Sequence, residues 1–130
     1  RSLIQTTNQT NQTVAVNSII SLGSVLRRFG CNCRLSGNAI EVVGDGYYTI
    51  DANVSITPTA AGAVTVAIYE NGVQIPGAIA FTTGGAGTPI SVAIPTTIRL
   101  GCCESVDSIT AVLLAGAGVV NNISVRVQKV

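Results

Sequence analysis

In the stretch GYYTIDANVSI, residues 46–56, apolar and polar side chains take turns. Tyr48, Ile50, Ala52, Val54 and Ile56 fall on one side of an extended chain, and Tyr47, Thr49, Asp51, Asn53 and Ser55 on the other. Wound into a helix, the same residues would scatter over every face; only a strand gathers them. A strand with one apolar face must pair with neighbours and cover a core. This constrains the chain to a β architecture before any other segment is read.

Other segments agree. VAVNSII (14–20), IEVV (40–43), AVTVAIYE (63–70), AIAFTT (78–83), PISVAIPTTIRL (89–100), SITAVLLA (108–115) and NISVRVQKV (122–130) are β-like and separated by turn signals. Asn71-Gly72 is a strong hairpin signal, after which the chain returns as VQI before Pro76-Gly77. Pro89 and Pro95 suit an edge strand or strand ends, because proline has no N–H for a central ladder. No segment carries apolar residues at helical spacing across three turns. The spacing predicts an all-β fold, an antiparallel β-sandwich or barrel of about eight to ten short strands.

Two segments depart from simple alternation. In SITAVLLAGAGVV both Ile109/Ala111/Leu113 and Val112/Leu114 are apolar, so the strand is expected to be buried on both faces. One face would serve the chain's own core and the other a subunit interface, with Val112, Leu113 and Leu114 as the interface residues. Residues 1–13, RSLIQTTNQTNQT, are polar and partly repetitive. They read as a disordered tail or, more sharply, as an N-terminal arm that orders only on a partner, with Leu3 and Ile4 as its apolar foothold, and residues 14–130 as the folded domain.

Charge supports self-association. Hydrophobic residues make up 47% of the 130, an ordinary share, but charged residues only 10%, where roughly a quarter is usual. A small domain has much surface for its volume, and apolar surface is best hidden against identical subunits. The net charge of +1, from basic residues scattered except at Arg27-Arg28, argues against nucleic-acid or anionic-membrane partners. The longest apolar run, 111–120, is half what a membrane helix needs and is broken by Gly116 and Gly118. The first thirteen residues lack the sustained apolar segment of a signal peptide.

Chemistry is sparse. Without histidine, a serine or cysteine nucleophile lacks its usual base. The six acids Glu41, Asp45, Asp51, Glu70, Glu104 and Asp107 are dispersed, and none pairs at a spacing that forces two carboxylates together. Asp45, between two glycines, reads as a turn residue. GGAG (84–87) lacks the Lys-Ser/Thr and the helix of a phosphate cradle. Asn-x-Ser/Thr triplets at Asn8, Asn11, Asn53 and Asn122 are expected by chance in so Asn- and Thr-rich a chain. No catalytic, cofactor-binding or metal-binding residue is assigned, and the chain is not expected to be an enzyme.

The cysteines stand out: Cys31 and Cys33 in CNC, Cys102 and Cys103 in CC. Their one-residue and zero-residue gaps fit a four-cysteine zinc site poorly. A disulfide joining the two loops, free thiols and clustering near a symmetry axis all remain open.

The order of pieces carries a resemblance. The strand opened by Gly46-Tyr47-Tyr48, the strand ending in Asn71-Gly72, the run from Leu100 to Asp107 into Ile109–Leu114, and the terminal ISVRVQKV resemble the C1q/TNF-like jelly roll. Small versions without tryptophan or histidine are similar to tailed-phage head-fibre or decoration proteins and to heads of spore-surface collagen-like proteins. The absence of a Gly-X-Y stalk favours the first group. RRFGCNCRLSG and the 102–103 cysteine pair lie outside the family's pattern. The resemblance implies a homotrimer and a structural role on a virion surface, on the capsid exterior, with the phage major capsid protein or another virion protein as partner. The alternative it implies is a carbohydrate- or receptor-binding head of a phage fibre or of a bacterial or spore surface, meeting a host-surface glycan. With no tryptophan, two phenylalanines and three tyrosines, stacking platforms for sugar are few.

Overall fold

The computed structural model describes residues 1–102 and 105–130, which form twelve strands and no helix. In chain order these are β1 (Leu3–Asn8), β2 (Gln12–Val14), β3 (Ser18–Ile19), β4 (Ser24–Phe29), β5 (Cys33–Ser36), β6 (Ala39–Val42), β7 (Gly46–Pro58), β8 (Gly62–Glu70), β9 (Val73–Gly84), β10 (Ile90–Leu100), β11 (Asp107–Ala115) and β12 (Gly118–Lys129). They build two six-stranded antiparallel sheets. Sheet A runs β10-β7-β12-β1-β4, with β2 added on β12; sheet B runs β5-β6-β11-β8-β9, with β3 added on β11. From β7 onward the chain passes from one sheet to the other and back, so sequence neighbours seldom pair. This is a jelly-roll sandwich.

The alternation in β7 does what its sequence requires. Tyr48, Ile50, Ala52, Val54 and Ile56 are all buried. On the same face of sheet A lie Ile123, Val125 and Val127 of β12, and sheet B opposes them with Val64, Val66, Ile68, Ile109 and Leu113. Such side chains contribute about 1.5–3 kcal/mol each when fully withdrawn from water, so this double layer dominates the fold's stability.

The hairpin at Asn71-Gly72 closes β8 onto β9 with Glu70 opposite Val73. Both turn residues have positive φ, 52° and 79°, as a two-residue turn between twisted strands demands. Asn71 also donates from Nδ2 to Asp107 Oδ1 at 2.9 Å and accepts from the Ser108 N–H at 2.8 Å, fastening the turn to β11. VQI and AIAFTT prove to be one strand with an irregular break in its pairing around Pro76-Gly77. Pairing jumps from Tyr69–Gln74 to Ala67–Ile79 because Pro76 offers no N–H. Proline-bearing β10 is an edge strand, as expected.

Three expectations are corrected. VAVNSII is not one strand: Val14 ends β2 in sheet A, while Ser18 and Ile19 pair with β11 in sheet B. Asn17, at φ 65°, turns the corner between the sheets and donates its N–H to the Leu113 carbonyl at 2.7 Å.

Residues 1–13 are not a separate arm. β1 lies inside sheet A, hydrogen-bonded to β12 on one side and β4 on the other. Ile4 and Thr6 are fully buried, so Ile4 is core and offers no foothold for a partner; Leu3 is half-buried on the opposite face. Backbone pairing on both edges holds this strand where its side chains alone would not.

In β11, Leu113 belongs to the core and is fully buried. Val112 points to the opposite face but is only 8% exposed, with Ile19 and Ala67 in register beside it. Leu114 is half-buried where the pairing with β8 shifts. The doubly apolar strand is therefore largely covered by the chain's own neighbours.

Candidate interaction surfaces

The polar side of β7 forms part of the outer face of sheet A. Register carries it across the strands: Ala93 (β10), Asn53 (β7), Ser124 (β12) and Thr7 (β1) make one row. Pro95, Asp51, Arg126, Gln5 and Arg27 make the next. Side chains along this face bind one another. Gln5 donates from Nε2 to Ser124 Oγ at 3.2 Å, Thr57 from its hydroxyl to Asn121 Oδ1 at 2.7 Å, and the Ser55 and Ser91 hydroxyls lie 2.8 Å apart.

The charges at the centre cancel. Arg126 Nη2 sits 2.7 Å from Asp51 Oδ2, each side chain about half exposed. In water such a pair is worth little. Beside it Gln5, Asn53, Ala93, Pro95 and Ser124 line a depression of about 390 Å³. The result is a hydroxyl- and amide-rich patch whose central charges are paired, with Arg27 at the β4 end of the row, so a protein surface can cover its centre without burying an unpaired charge.

A second feature gathers at one end of the sandwich. The Ser2 hydroxyl donates to Asn32 Oδ1 at 2.6 Å and accepts from the Asn32 N–H at 3.1 Å. Asn32 Nδ2 in turn donates to the Val43 carbonyl at 2.7 Å. The Tyr48 hydroxyl lies 2.8 Å from that carbonyl and 2.7 Å from the Gly44 carbonyl. Burial raises the Tyr48 pKa, with the neighbouring Cys33 thiol acting in the same direction.

Cys33 is buried in this corner, and desolvation pushes its thiol up to about 11 against the opposing pull of Arg28 and Lys129. Cys31 is exposed, and so is Cys102. Cys31, Cys33, Asn32, Arg28 and Val106 line a shared cavity of about 380 Å³, which places the CNC loop beside the segment leading into β11. Cys103 and Glu104 lie outside the described residues. A neutral thiol is a poor nucleophile and a poor metal ligand. Among the described residues no group of three or more cysteine or acidic side chains could hold a metal ion.

Sequence reasoning identified the polar face of β7 without finding what continues it. Arg126 in SVRV is opposite in charge to Asp51, but which residues face each other depends on the order of strands, and no local signal records that. Nor does the sequence reveal that Ser2 reaches Asn32.

Solved structures share this architecture. The globular domain of zebrafish complement 1qA superposes with a TM-score of 0.77 at 7% identity, covering 100% of this chain and 98% of that one. Murine APRIL gives 0.76 at 12% identity, covering 99% and 98%. The PRD1 vertex protein P5 gives 0.65 at 12% identity, covering 99% and 96%. No protein-family model and no curated protein matches the sequence. The fold is a C1q/TNF-like jelly roll.

Proposed function

We propose that this chain is a structural protein of a phage particle: a homotrimeric decoration or head-fibre protein on the outside of the capsid, held to the major capsid protein or another virion protein. The observation that carries the reading is the similarity, over nearly the whole of both chains, to the PRD1 vertex protein P5. The low charge content and a sheet A face whose central charges cancel support the trimer. In this reading the subunits meet over the rows through Asp51 and Asn53, not over β11. A disulfide joining the CNC loop to Cys102 or Cys103 remains part of the proposal; at the CNC end Cys31 is exposed and Cys33 buried.

Light scattering should give three times the 13.2 kDa chain mass. Ala93→Arg places an unpaired charge in the seam and should yield a folded monomer. Mass spectrometry and surface labelling of purified particles should find the chain on the virion exterior. A wild-type monomer at micromolar concentration overturns the trimer, and absence from particles overturns the virion role. A carbohydrate- or receptor-binding head is the second reading. It is favoured by Tyr47, half exposed with the Arg99 guanidinium 5.9 Å from its ring centre, and would show as binding on a glycan array.

A further inference from the structure

Asn71-Gly72 is the sole Asn-Gly pair in the chain. In such a pair the glycine nitrogen can attack the asparagine side-chain carbon, because no Cβ on the glycine stands in the way. The new C–N bond closes a succinimide ring while the Cγ–Nδ2 bond breaks, and the glycine's proton departs with the nitrogen as ammonia. Water then adds to one of the two ring carbonyls. At the side-chain carbonyl it leaves aspartate; at the backbone carbonyl it leaves isoaspartate. Both turn residues are exposed, and a side chain built on Gly72 would meet no atom within 4 Å, so solvent has free access.

The fold nevertheless holds this asparagine in place. Asn71 grips the start of β11 three times. Its N–H donates to the Ser108 carbonyl at 2.9 Å, its Oδ1 accepts from the Ser108 N–H at 2.8 Å, and its Nδ2 donates to Asp107 Oδ1 at 2.9 Å. Ring closure makes the planar amide carbon tetrahedral and expels Nδ2, so the bond to Asp107 cannot survive it. The clasp therefore opposes the reaction for as long as it stays closed.

We propose that Asn71 is a deamidation site latched by the fold: it reacts when the turn comes away from β11, and the product cannot close the latch again. This goes beyond the structural role proposed above and does not depend on it. Aspartate at 71 puts a carboxylate oxygen in place of the Nδ2 that lies 2.9 Å from Asp107 Oδ1. No proton stands between the two oxygens at neutral pH. Like charges at that spacing repel, and Asp107, only 7% exposed, has little water to screen them. Isoaspartate instead adds a methylene to the main chain of a turn whose flanks, Glu70 and Val73, stand in register. Either product turns a passing opening into a lasting one.

The test follows deamidation of the 130-residue chain by mass spectrometry, with fragmentation to locate it, folded in buffer and unfolded in guanidinium chloride at the same neutral pH. Asn71 should react in the unfolded chain and at least about tenfold more slowly in the folded one, where only the open fraction reacts. Denaturation of two variants tests the latch. Asn71→Asp should lower the folded-to-unfolded ratio on the order of tenfold at neutral pH, the gap to wild type narrowing as acid protonates one carboxylate. In the Asp107→Asn background, where an amide replaces the opposing carboxylate, the same substitution should cost less than about twofold. Equal reaction of Asn71 in both states, or none in either, would overturn the proposal. So would an Asn71→Asp effect of the same size in both backgrounds.

Discussion

β7 and β1 lie in the same sheet, separated only by β12, yet one is plain in the sequence and the other is hidden. β7 sends five large or apolar side chains inward without a break, and its hydrophobic pattern alone specifies strand, face and register. β1 sends in Ile4 and then Thr6, whose buried Oγ1 has no hydrogen-bond partner among the described residues. What fixes β1 is backbone pairing with strands far away in sequence: Leu3 to Asn8 run against Gln128 to Ile123, and Leu3 to Thr7 against Phe29 to Ser24. A strand can thus be made by its neighbours. Where that happens, polar composition at a terminus does not imply an arm.

Deleting residues 1–13 breaks this comparison most severely. The deletion removes Ile4 from the core and uncovers one edge of β12. It should abolish the cooperative thermal transition, a loss of at least the roughly 5 kcal/mol at the low end of domain stability. Retention of the wild-type melting temperature would return these residues to the status of an arm.

Alkaline pH probes the corner where the N-terminus meets β7, through Ser2, Asn32 and Tyr48. The Cys33 thiol rises from 9.0 to about 11 on folding, so the folded chain holds its proton more tightly than the unfolded chain. That contribution is fully present below pH 9 and is lost as the pH climbs through about 11. The loss should be on the order of 2 kcal/mol in urea titrations. Tyr48, also raised, adds to it in the same direction. Cys33→Val should flatten the slope by the thiol's share; an unchanged slope would mean that Cys33 is not buried against this corner.

The smallest effect is a gain. Thr6→Val keeps the β-branched shape and removes a buried hydroxyl that has no partner, so it should stabilise the chain by about 1 kcal/mol, roughly 4 °C in melting temperature. Destabilisation would show that the hydroxyl is satisfied or that β1 is not packed inward.

The fold class was legible because alternation is local. The inward face of β7, the Asn71-Gly72 turn and the proline-bearing edge of β10 all follow from residues within a few positions of one another. The fold family was legible from the order of those pieces. What escaped depends on distant partners. β4 has almost no inward apolar face, β2 and β3 divide a segment that reads as continuous, and Val112 is sheltered by Ile19 and Ala67, both remote in sequence. The outer face of sheet A was half legible: β7 declared a polar side, but the Asp51–Arg126 pair exists only because β12 lies beside β7.

Amide hydrogen exchange, read residue by residue on the intact chain, tests most directly whether β1 is an interior strand. The amides of residues 3–8 that bond to β12 and β4 should be protected to a degree approaching those of residues 50–56, and should open with them in the global unfolding event. Exchange of residues 3–8 at the rate of a free peptide, beside a slowly exchanging β7, would contradict the account.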